Sequence, residues 1–473
     1  MATHFIRQSP HICVGNFLIT QPNAKKFSKD YIEKPMAIPL KNISRMHMPA
    51  HKGNYLLGCE ELDITEILGA DVLYSANGII EESENNATSL FKTKHTFYST
   101  EGSTLAIKAM LGIIKKIAPT NAKILAARNV HKAFVYACGL LDFNVEWLYP
   151  KESEHLCDCN VTPEDLRAKL QELSSKCDMP CALYVTSPTY LGKMLDIAGL
   201  SAVCKEFGIY LLVDNAHGAY LAFEKPSRHP IALGADLCCD SAHKTLPTLT
   251  GGAYLHISKR FKLYDKADTR AMLSLFASTS PSYLILQSLD LTNLYITNGY
   301  KLKLERMEKR IAEFKKELAD IGFECEESEP LKIVIHRKKC GYSGDYIAEH
   351  LRAYNVEAEY SDCDTITLMF SIENRPLDFD RIKIALSLLS PKLKSTTESL
   401  PLSAPERVIS IREALFAPNE RIPTKDSLGR ICASPSVSCP PAIPPIISGE
   451  RIDADTLKIL MYYGIDEIDV IKE

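Results

Sequence analysis

Residues 234–249 read GADLCCDSAHKTLPTL, a short apolar run followed by serine, histidine and lysine. The apolar run predicts a buried strand, and burying an unpaired lysine is costly because desolvation disfavours its charged form. Lys244 is therefore either a surface residue or a nucleophile. The surrounding sequence predicts the fold and decides between these two interpretations.

Strands and helices alternate on the N-terminal side of this stretch. HTFYST, KILAAR, CALYVT and IYLLVD are predicted strands, and STLAIKAMLGIIKKIA, HKAFVYACGLL and AGLSAVCKEFG have the spacing of helices. The strands are apolar on both faces, which is typical of a mostly parallel sheet covered by helices on each side. The sequence therefore predicts an α/β fold.

Several polar residues lie at the predicted carboxyl ends of these strands. Ligands bind at that edge in sheets of this kind. The residues are Ser103, His131, Ser187, Asp214, His217 and Lys244. Their shared placement is the strongest single observation in the sequence, and it favours a nucleophilic role for the lysine.

The length predicts several domains, since the chain has 473 residues and a single core rarely grows beyond about 250–300 residues. We predict a turn-rich N-terminal arm over residues 1–60 and a large domain over 61–292. A long charged helix that begins at Asn298, and two β-like pieces around another helix, predict a small α+β domain over 293–393. A C-terminal α+β domain is predicted over 394–473. A polar, Pro/Ser-rich stretch at 390–406 spans its boundary with the small domain and is a predicted linker.

The composition argues against several classes of protein. A formal net charge of -4 and a pI of about 6.4 give no basic field for nucleic acid or an anionic membrane. We find neither an apolar run that could cross a bilayer nor the pattern of a signal peptide. The 15 cysteines lack the paired spacing of a zinc site, which indicates reduced thiols. We expect a cytoplasmic protein with no metal and with no nucleic-acid or membrane partner.

Four features together meet the needs of one cofactor. A Schiff base requires a lysine whose amine can lose its proton, as Lys244 could, and an electron-sink ring requires an acid such as Asp214 for its pyridinium nitrogen. The Gly-Ser-Thr turn at 102–104 opens a helix whose amides suit a phosphate, and His131 offers a flat ring for stacking. Alone, each residue is as well explained as a cap or turn residue. Together they predict a pyridoxal 5'-phosphate site.

Longer motifs show a resemblance to a known family. They include MHMPAHKG, FYSTEGST, ARNVHKAF, TSPTYLG, VDNAHGAY, SAHKTLPTLTGGAYLH and CPPAIPPIISGERI, and they run through nearly the whole chain. The chain resembles the fold-type I, pyridoxal-phosphate-dependent Orn/Lys/Arg decarboxylase family in its short form without an N-terminal wing domain. This resemblance implies an aspartate-aminotransferase-like large domain that binds pyridoxal 5'-phosphate, and the extra C-terminal domain of the decarboxylases.

The resemblance also implies a role for each site residue. Lys244 would form the Schiff base, and Asp214 would pair with the ring nitrogen. His131 would stack on the ring, and His217 would lie near the ring hydroxyl. The phosphate would be held by Gly102, Ser103 and Thr104, with Ser241 and His243 beside them and with Thr279 and Ser280 reaching over from a neighbouring subunit.

The implied reaction is decarboxylation of a basic L-amino acid. Arginine is the first choice, giving agmatine for polyamine synthesis, and lysine and ornithine follow closely. The family also implies a homodimer, or a larger oligomer built from dimers, with shared active sites. The distal cation of the substrate needs an acidic or aromatic partner, for which the sequence offers Asp63, Glu66, Asp71, Glu413 and Glu420.

Four positions depart from the pattern of the family. Asn215 stands where glutamate is usual, Tyr220 where histidine often occurs, and Gly251 where glutamine is expected. Glu101 places a negative charge beside the phosphate turn, which weakens that site unless the side chain turns away. Two rival functions stay open: an aminotransferase or lyase in which Arg128 holds the α-carboxylate, and a catalytically silent regulatory paralogue.

Overall fold

The computed structural model describes residues 44–150, 155–263, 265–390, 404–435 and 442–473. Most of the predicted N-terminal arm (1–43) and most of the predicted linker (391–403) lie outside the described residues, as does the start of the CPPAIPP motif at 436–441. Three sheets lie within the described ranges, and their order along the chain follows the predicted order of the three domains. The exact domain boundaries stay predictions.

A seven-stranded sheet forms the centre of the fold. Its strands are β1 (His95–Ser99), β2 (Lys123–Ala127), β3 (Asn144–Leu148), β4 (Pro180–Thr186), β5 (Tyr210–Asp214), β6 (Leu237–Asp240) and β7 (Ala253–Ile257). Their spatial order is β1-β7-β6-β5-β4-β2-β3. Strand β7 is antiparallel to β1 and β6, and the other pairs are parallel. The predicted α/β class with a mostly parallel sheet is confirmed.

Helices cover both faces of this sheet. They are α1 (Ile79–Phe91), α2 (Gly102–Ile117), α3 (Lys132–Leu141), α4 (Pro163–Ser175), α5 (Ile197–Glu206), α6 (Pro230–Leu233), α7 (Ala242–Thr245), α8 (Lys266–Phe276) and α9 (Tyr283–Tyr295). The short α7 directly follows β6, so the chain turns into a helix at the predicted lysine.

Strand β2 shows why the strands are apolar on both faces. Ile124 and Ala126 pack into the core that includes α2 and α3, and Leu125 and Ala127 pack into the core that includes α4 and α5. Alternate residues of a strand point to opposite faces, so a strand between two helical layers must be apolar throughout. Burying each large aliphatic side chain contributes roughly 1.5–3 kcal/mol.

The small domain contains a three-stranded antiparallel sheet of order β8-β10-β9, formed by β8 (Lys332–His336), β9 (Tyr360–Ser361) and β10 (Thr365–Met369). Its helices are α10 (Lys301–Asp320), α11 (Arg337–Cys340), α12 (Gly344–Ala353) and α13 (Pro376–Ser387). The long helix begins at Lys301 rather than at the predicted Asn298, because Asn298 and Gly299 have non-helical backbone angles, with a φ of 84° at Gly299.

The C-terminal part contains α14 (Ile411–Phe416), α15 (Ala454–Tyr462) and a two-stranded antiparallel sheet of β11 (Asn419–Pro423) and β12 (Glu467–Ile471). Helix α14 packs on α3, where Gly139 leaves room for Leu415. The helices in the described ranges include none that is long and apolar enough to span a membrane.

A buried ion pair docks the C-terminal part onto the large domain. Arg128 lies at the end of β2, and its Nη2 donates to Glu450 Oε2 at 2.7 Å and to the Pro445 carbonyl at 3.3 Å. Glu450 Oε2 also accepts from the Ile447 amide at 2.8 Å. Both charged side chains are 3 % exposed, so each depends on the other for its charge to be tolerated.

We expect Arg128→Met to destabilise the protein by about 3–5 kcal/mol, because it leaves the Glu450 carboxylate buried without a cation. Urea unfolding of the purified protein measures the loss. The double variant Arg128→Met/Glu450→Gln removes both charges but keeps an oxygen for the Ile447 amide, and it should recover part of the stability. A single variant as stable as wild type, or a double variant less stable than the single one, would contradict this account.

Candidate active site

The predicted site residues converge at the carboxyl end of β5 and β6. Asp214 is the last residue of β5, and Lys244 lies on α7, four residues beyond the end of β6. The Lys244 Nζ atom is 3.0 Å from His217 Nε2. Ser241 Oγ donates to Ser103 Oγ at 2.8 Å, which joins the start of α7 to the start of α2. The sheet thus brings residues from three separate sequence segments to one edge.

Lys244 and His217 can be this close because the imidazole is neutral. Burial is the main cause that lowers the pKa of His217 well below its usual value, and the positive charge of Lys244 lowers it further. The Lys244 ammonium therefore donates to Nε2, and the imidazole proton lies on Nδ1. Among the described residues Nδ1 has no hydrogen-bond partner, although it is buried.

Asp214 is a buried carboxylate with few donors. The Ala216 amide donates to its Oδ1 and the Tyr184 hydroxyl to its Oδ2, both at 3.2 Å. Burial raises the pKa of Asp214, against the opposing effect of the Lys244 charge. A carboxyl group in this state favours a further cationic hydrogen-bond donor, because a cation would offset the cost of burying its charge.

His131 is a helix cap, and it is also suited to the stacking role predicted from the sequence. It is the N-cap of α3, and its Nδ1 accepts from the Ala133 amide at 3.1 Å, which fixes the ring. Burial first and the charge of Lys244 second lower the pKa of His131 to about 4. The ring is therefore neutral and held in one orientation at neutral pH, as a stacking residue requires.

The start of α2 is built as an anion site. The first amides of a helix have no partner within the helix, and the N-cap residue Glu101 makes no side-chain capping bond to them. Gly102 has a φ of 68°, a conformation that favours glycine. Ser103 is half-buried beside Ser241, whereas Thr104 is exposed. These amides and hydroxyls fit a phosphate group.

The departures at Glu101 and Gly251 both have a structural reason. The Glu101 side chain points away from the phosphate turn, since its Oε1 accepts from the Ser278 amide at 2.8 Å. Gly251 has a φ of 99°, and its carbonyl accepts from the Gly102 amide at 2.7 Å. A Cβ at Gly251 would lie 2.8 Å from the Thr100 carbonyl oxygen, so a side chain does not fit.

The remaining predicted cofactor residues lie around this turn. His243 is tied to the second glycine, because its amide and its Nδ1 both bond to the Gly252 carbonyl, at 3.1 and 2.9 Å. Thr279 and Ser280 are exposed in the loop that supplies Ser278 to Glu101. Their predicted reach into a neighbouring subunit stays a prediction.

The departure at Asn215 belongs to a buried network behind the site. Its Nδ2 donates to Asp240 Oδ1 at 2.7 Å, and His229 and His256 each place Nε2 3.0 Å from Asp240 Oδ2. His229, Cys238 and Asp240 are close enough to hold a metal ion. However, His229 Nδ1 accepts from the Ile231 amide, so the ring proton lies on Nε2, which acts as a donor. The cluster is therefore better explained as a hydrogen-bond network around Asp240.

The acidic residues proposed from sequence for the substrate cation have structural partners instead. Asp71 accepts from four backbone amides, three of them around the start of α1, and Glu413 forms the capping box of α14. The other three each contact a neighbouring side chain: Asp63 with His51, Glu66 with Thr65 and Glu420 with Arg430. Arg128, the candidate carboxylate ligand of an aminotransferase, is likewise occupied by Glu450.

Four further residues, which the sequence analysis did not single out, lie at or next to the site: Thr186, Tyr190, Lys332 and Glu359. The Thr186 hydroxyl is buried beside Asp214 in the register of β4 and β5, and it has no partner among the described residues. Tyr190 packs edge-on against His217, with 5.0 Å between ring centroids. Tyr190 Oη donates to Glu359 at 3.0 Å, and its carbonyl accepts from Lys332 at 2.9 Å. Tyr190 lies in the quoted TSPTYLG motif, whereas Lys332 looks like an ordinary strand residue.

These residues fit pyridoxal 5'-phosphate. The start of α2 offers amides for an anion, Asp214 needs a cationic donor, and His217 Nδ1 and Thr186 Oγ1 are buried polar atoms without partners in the described part of the chain. Each of these features matches one polar part of the cofactor: its phosphate, its ring nitrogen and its ring hydroxyl.

Comparisons with known proteins agree with this geometry. The family model described as "Orn/Lys/Arg decarboxylase, major domain" matches residues 53–336. An arginine decarboxylase of Bacillus subtilis is 29% identical over 448 residues, which is 88% of this chain and 89% of the relative. A solved constitutive lysine decarboxylase of E. coli has a TM-score of 0.73 at 17% identity and covers 91% of this chain and 80% of its own. The Francisella novicida lysine decarboxylase LdcF has a TM-score of 0.75 at 18% identity, with coverages of 91% and 79%.

The fold is shared with these lysine decarboxylases, and together with the site and the family match it defines a fold-type I enzyme that depends on pyridoxal 5'-phosphate. The chain belongs to the Orn/Lys/Arg decarboxylase family. It is accordingly an amino acid decarboxylase, and its cofactor is pyridoxal 5'-phosphate.

We expect Gly251→Ala to weaken the binding of pyridoxal 5'-phosphate by about tenfold or more, because a loss of 1.4 kcal/mol already has that effect. The added Cβ would push on the Thr100 carbonyl and displace the Gly102 turn. Fluorescence titration of the apo protein measures the affinity. Gly208→Ala is the matched control, since Gly208 has a φ of 69° and a Cβ there would meet nothing within 4 Å. Equal affinities in the two variants would contradict the role of Gly251.

Proposed function

We propose that this chain decarboxylates L-arginine to agmatine and carbon dioxide, with lysine and ornithine as alternative substrates. The observation that carries the proposal is the pairing of Lys244 with a neutral His217 beside the buried Asp214. The choice of arginine is supported by relatives named arginine decarboxylase, which match nearly nine-tenths of the chain at 26–29% identity. Agmatine would then serve polyamine synthesis.

Bound pyridoxal 5'-phosphate supplies an electron sink for the pair of electrons that remains when the carboxylate leaves as carbon dioxide. Lys244 would hold the cofactor covalently, and Asp214 would accept from its ring nitrogen. His131 would stack on the ring face. Ser103, Thr104 and Ser241 would bind the phosphate. Gly102, whose amide is held by the Gly251 carbonyl, would shape the turn, and His243 would fix the adjoining glycine.

The residues around Lys244 are suited to moving one proton. His217 is neutral and lies 3.0 Å from Nζ, so its Nε2 accepts a hydrogen bond from the lysine and the proton stays on Nζ. We propose that Lys244 delivers this proton to Cα after carbon dioxide has left.

Glu359 is our candidate for binding the distal cation of the substrate. Its carboxylate accepts from the Tyr190 hydroxyl at 3.0 Å, and the Tyr190 ring packs against His217. The negative charge of Glu359 raises the pKa of His243 and of Lys332, although burial outweighs it at both, which indicates that it faces the site. A carboxylate beside an aromatic ring suits a planar guanidinium group.

The rival functions have less support. An aminotransferase or lyase would need a carboxylate ligand, and Arg128 is buried against Glu450. A silent paralogue has no need of Lys244, Asp214 and His131 together, yet all three lie at the same edge of the sheet.

We also propose a homodimer, or a dimer-based oligomer, with shared active sites in the cytoplasm. Large apolar side chains are exposed near the N-terminal end of the described chain: Met46, Tyr55, Leu56, Leu57 and Leu68. Exposed apolar patches mark interaction surfaces. Free thiols throughout the described ranges support the cytoplasmic location.

The purified protein with pyridoxal 5'-phosphate should release carbon dioxide and amine fastest from L-arginine in a panel with lysine and ornithine. Lys244→Ala should reduce the rate to background and remove the visible absorbance of the bound cofactor, because no other amine replaces it. Lys205→Ala, on the exposed side of α5, is the control and should behave as wild type. No release from any of the three amino acids would overturn the proposal.

We expect Glu359→Gln to raise the KM for arginine by about tenfold, since a hydrogen bond to a charged group contributes about 1.5–3 kcal/mol. The amide oxygen can still accept from Tyr190, so kcat should change less than KM. Glu357→Gln is the matched control, because Glu357 is exposed and paired with Arg352. An unchanged KM in Glu359→Gln would exclude this residue as the binding partner of the guanidinium group.

A further inference from the structure

Lys332 is a fully buried lysine. It opens β8 of the small domain, and its side chain is 0% exposed. Lysines are almost never buried to this extent unless a partner compensates the charge. The position is also unusual because the next three residues of β8, Ile333, Val334 and Ile335, are apolar and pack into cores. Such a residue needs a reason beyond packing.

The partners of Lys332 come from both domains. Its Nζ donates to the Tyr190 carbonyl at 2.9 Å and lies 3.7 Å from Glu329 Oε1. The other oxygen of Glu329 accepts from the Leu331 amide at 2.9 Å and from the Tyr220 hydroxyl. The Lys332–Glu329 pair thus joins the small domain to two loops of the large domain, one after β4 and one after β5.

Both of these loops carry the candidate site. The Lys332 Nζ lies 5.7 Å from the centre of the Tyr190 ring, and that ring packs edge-on against His217 at 5.0 Å. His217 in turn contacts Lys244 at 3.0 Å. A continuous chain of contacts therefore leads from Lys332 through Tyr190 and His217 to Lys244. Tyr220, one of the departures from the family pattern, closes the network on the side of Glu329.

The positive charge of Lys332 also favours the neutral form of His217. Burial lowers its pKa to about 8, against the attraction of Glu329, so the ammonium form prevails at neutral pH. After burial and Lys244, Lys332 is the next cause that lowers the pKa of His217. The charged and titratable groups that face this region are His131, Asp214, His217, His243, Lys244, Glu329 and Glu359, together with the Cys157 thiol.

We propose that Lys332 is a positioning residue of the decarboxylase site, which anchors Tyr190 from the small domain and so holds a neutral His217 against Lys244. This inference rests on the proposed role of Lys244 as the lysine that binds the cofactor. Through Lys332, the small domain would influence the protonation of Lys244. Lys332 itself would touch neither cofactor nor substrate.

The test is the pH dependence of the visible absorbance of the holoenzyme, compared between wild type, Lys332→Met and Lys332→Arg. Removing the positive charge makes protonation at Lys244 and His217 easier. The midpoint should therefore move upward in Lys332→Met, by roughly half a unit to one unit. Lys332→Arg keeps the charge and a donor for the Tyr190 carbonyl, so its midpoint should stay near that of wild type.

Lys315→Met is the matched control for lost stability. Lys315 is a half-buried lysine of the same domain, and its Nζ donates to Ser328 Oγ at 2.9 Å, next to Glu329. It should lower the melting temperature without moving the midpoint. If Lys332→Met does not fold, Lys332→Gln replaces it, since the amide keeps a donor for Tyr190 and removes the same charge.

Two outcomes separate this inference from the proposed function. A neutral Lys332 variant that folds and keeps the wild-type midpoint, while Lys244→Ala abolishes the absorbance band, overturns the role of Lys332 alone. A band that persists in Lys244→Ala overturns the proposed function and this inference with it. An upward shift in Lys332→Met that Lys315→Met also shows would mean a general loss of stability and would overturn the inference as well.

Discussion

The contact between Lys244 and His217 is the interaction on which the site depends. Two basic side chains can lie 3.0 Å apart in a buried place only if one of them is neutral. Burial keeps both His217 and His131 neutral, so that Lys244 carries the positive charge nearest to Asp214. The surrounding structure serves this condition, since the edge of the sheet brings the buried Asp214 carboxylate to the same place.

The sheet brings this chemistry together because its parallel strands end at one edge. In the register of β5 and β6, Asp214 lies opposite Cys239. Cys239 is only five residues before Lys244, so the lysine follows close to the carboxylate. The antiparallel β7 then returns the chain past β1, which lets Gly251 bond to the Gly102 turn at the start of α2. The departures at Glu101 and Gly251 leave that turn intact, since one side chain points away and the other is absent.

Much of this arrangement was predictable from local patterns. The strands β1, β2, β4, β5 and β6 were predicted because each is a short apolar run with helices between them. The acids proposed for the substrate cation were a weaker inference. Asp71 and Glu413 precede or open helices, and carboxylates at such places cap backbone amides more readily than they bind ligands. Nothing local to Glu359 distinguishes it from other charged residues of the small domain.

The sequence by itself determined the fold class and predicted Lys244 and the residues around it as the cofactor site, because these depend on the period of apolar residues and on short motifs. Only the tertiary structure decided which groups face that lysine from elsewhere in the chain. Lys332 and Glu359 come from the small domain, and Glu450 reaches Arg128 from more than 300 residues away. Such pairings follow from how the domains pack, since a buried charge is tolerated only where packing brings it a partner.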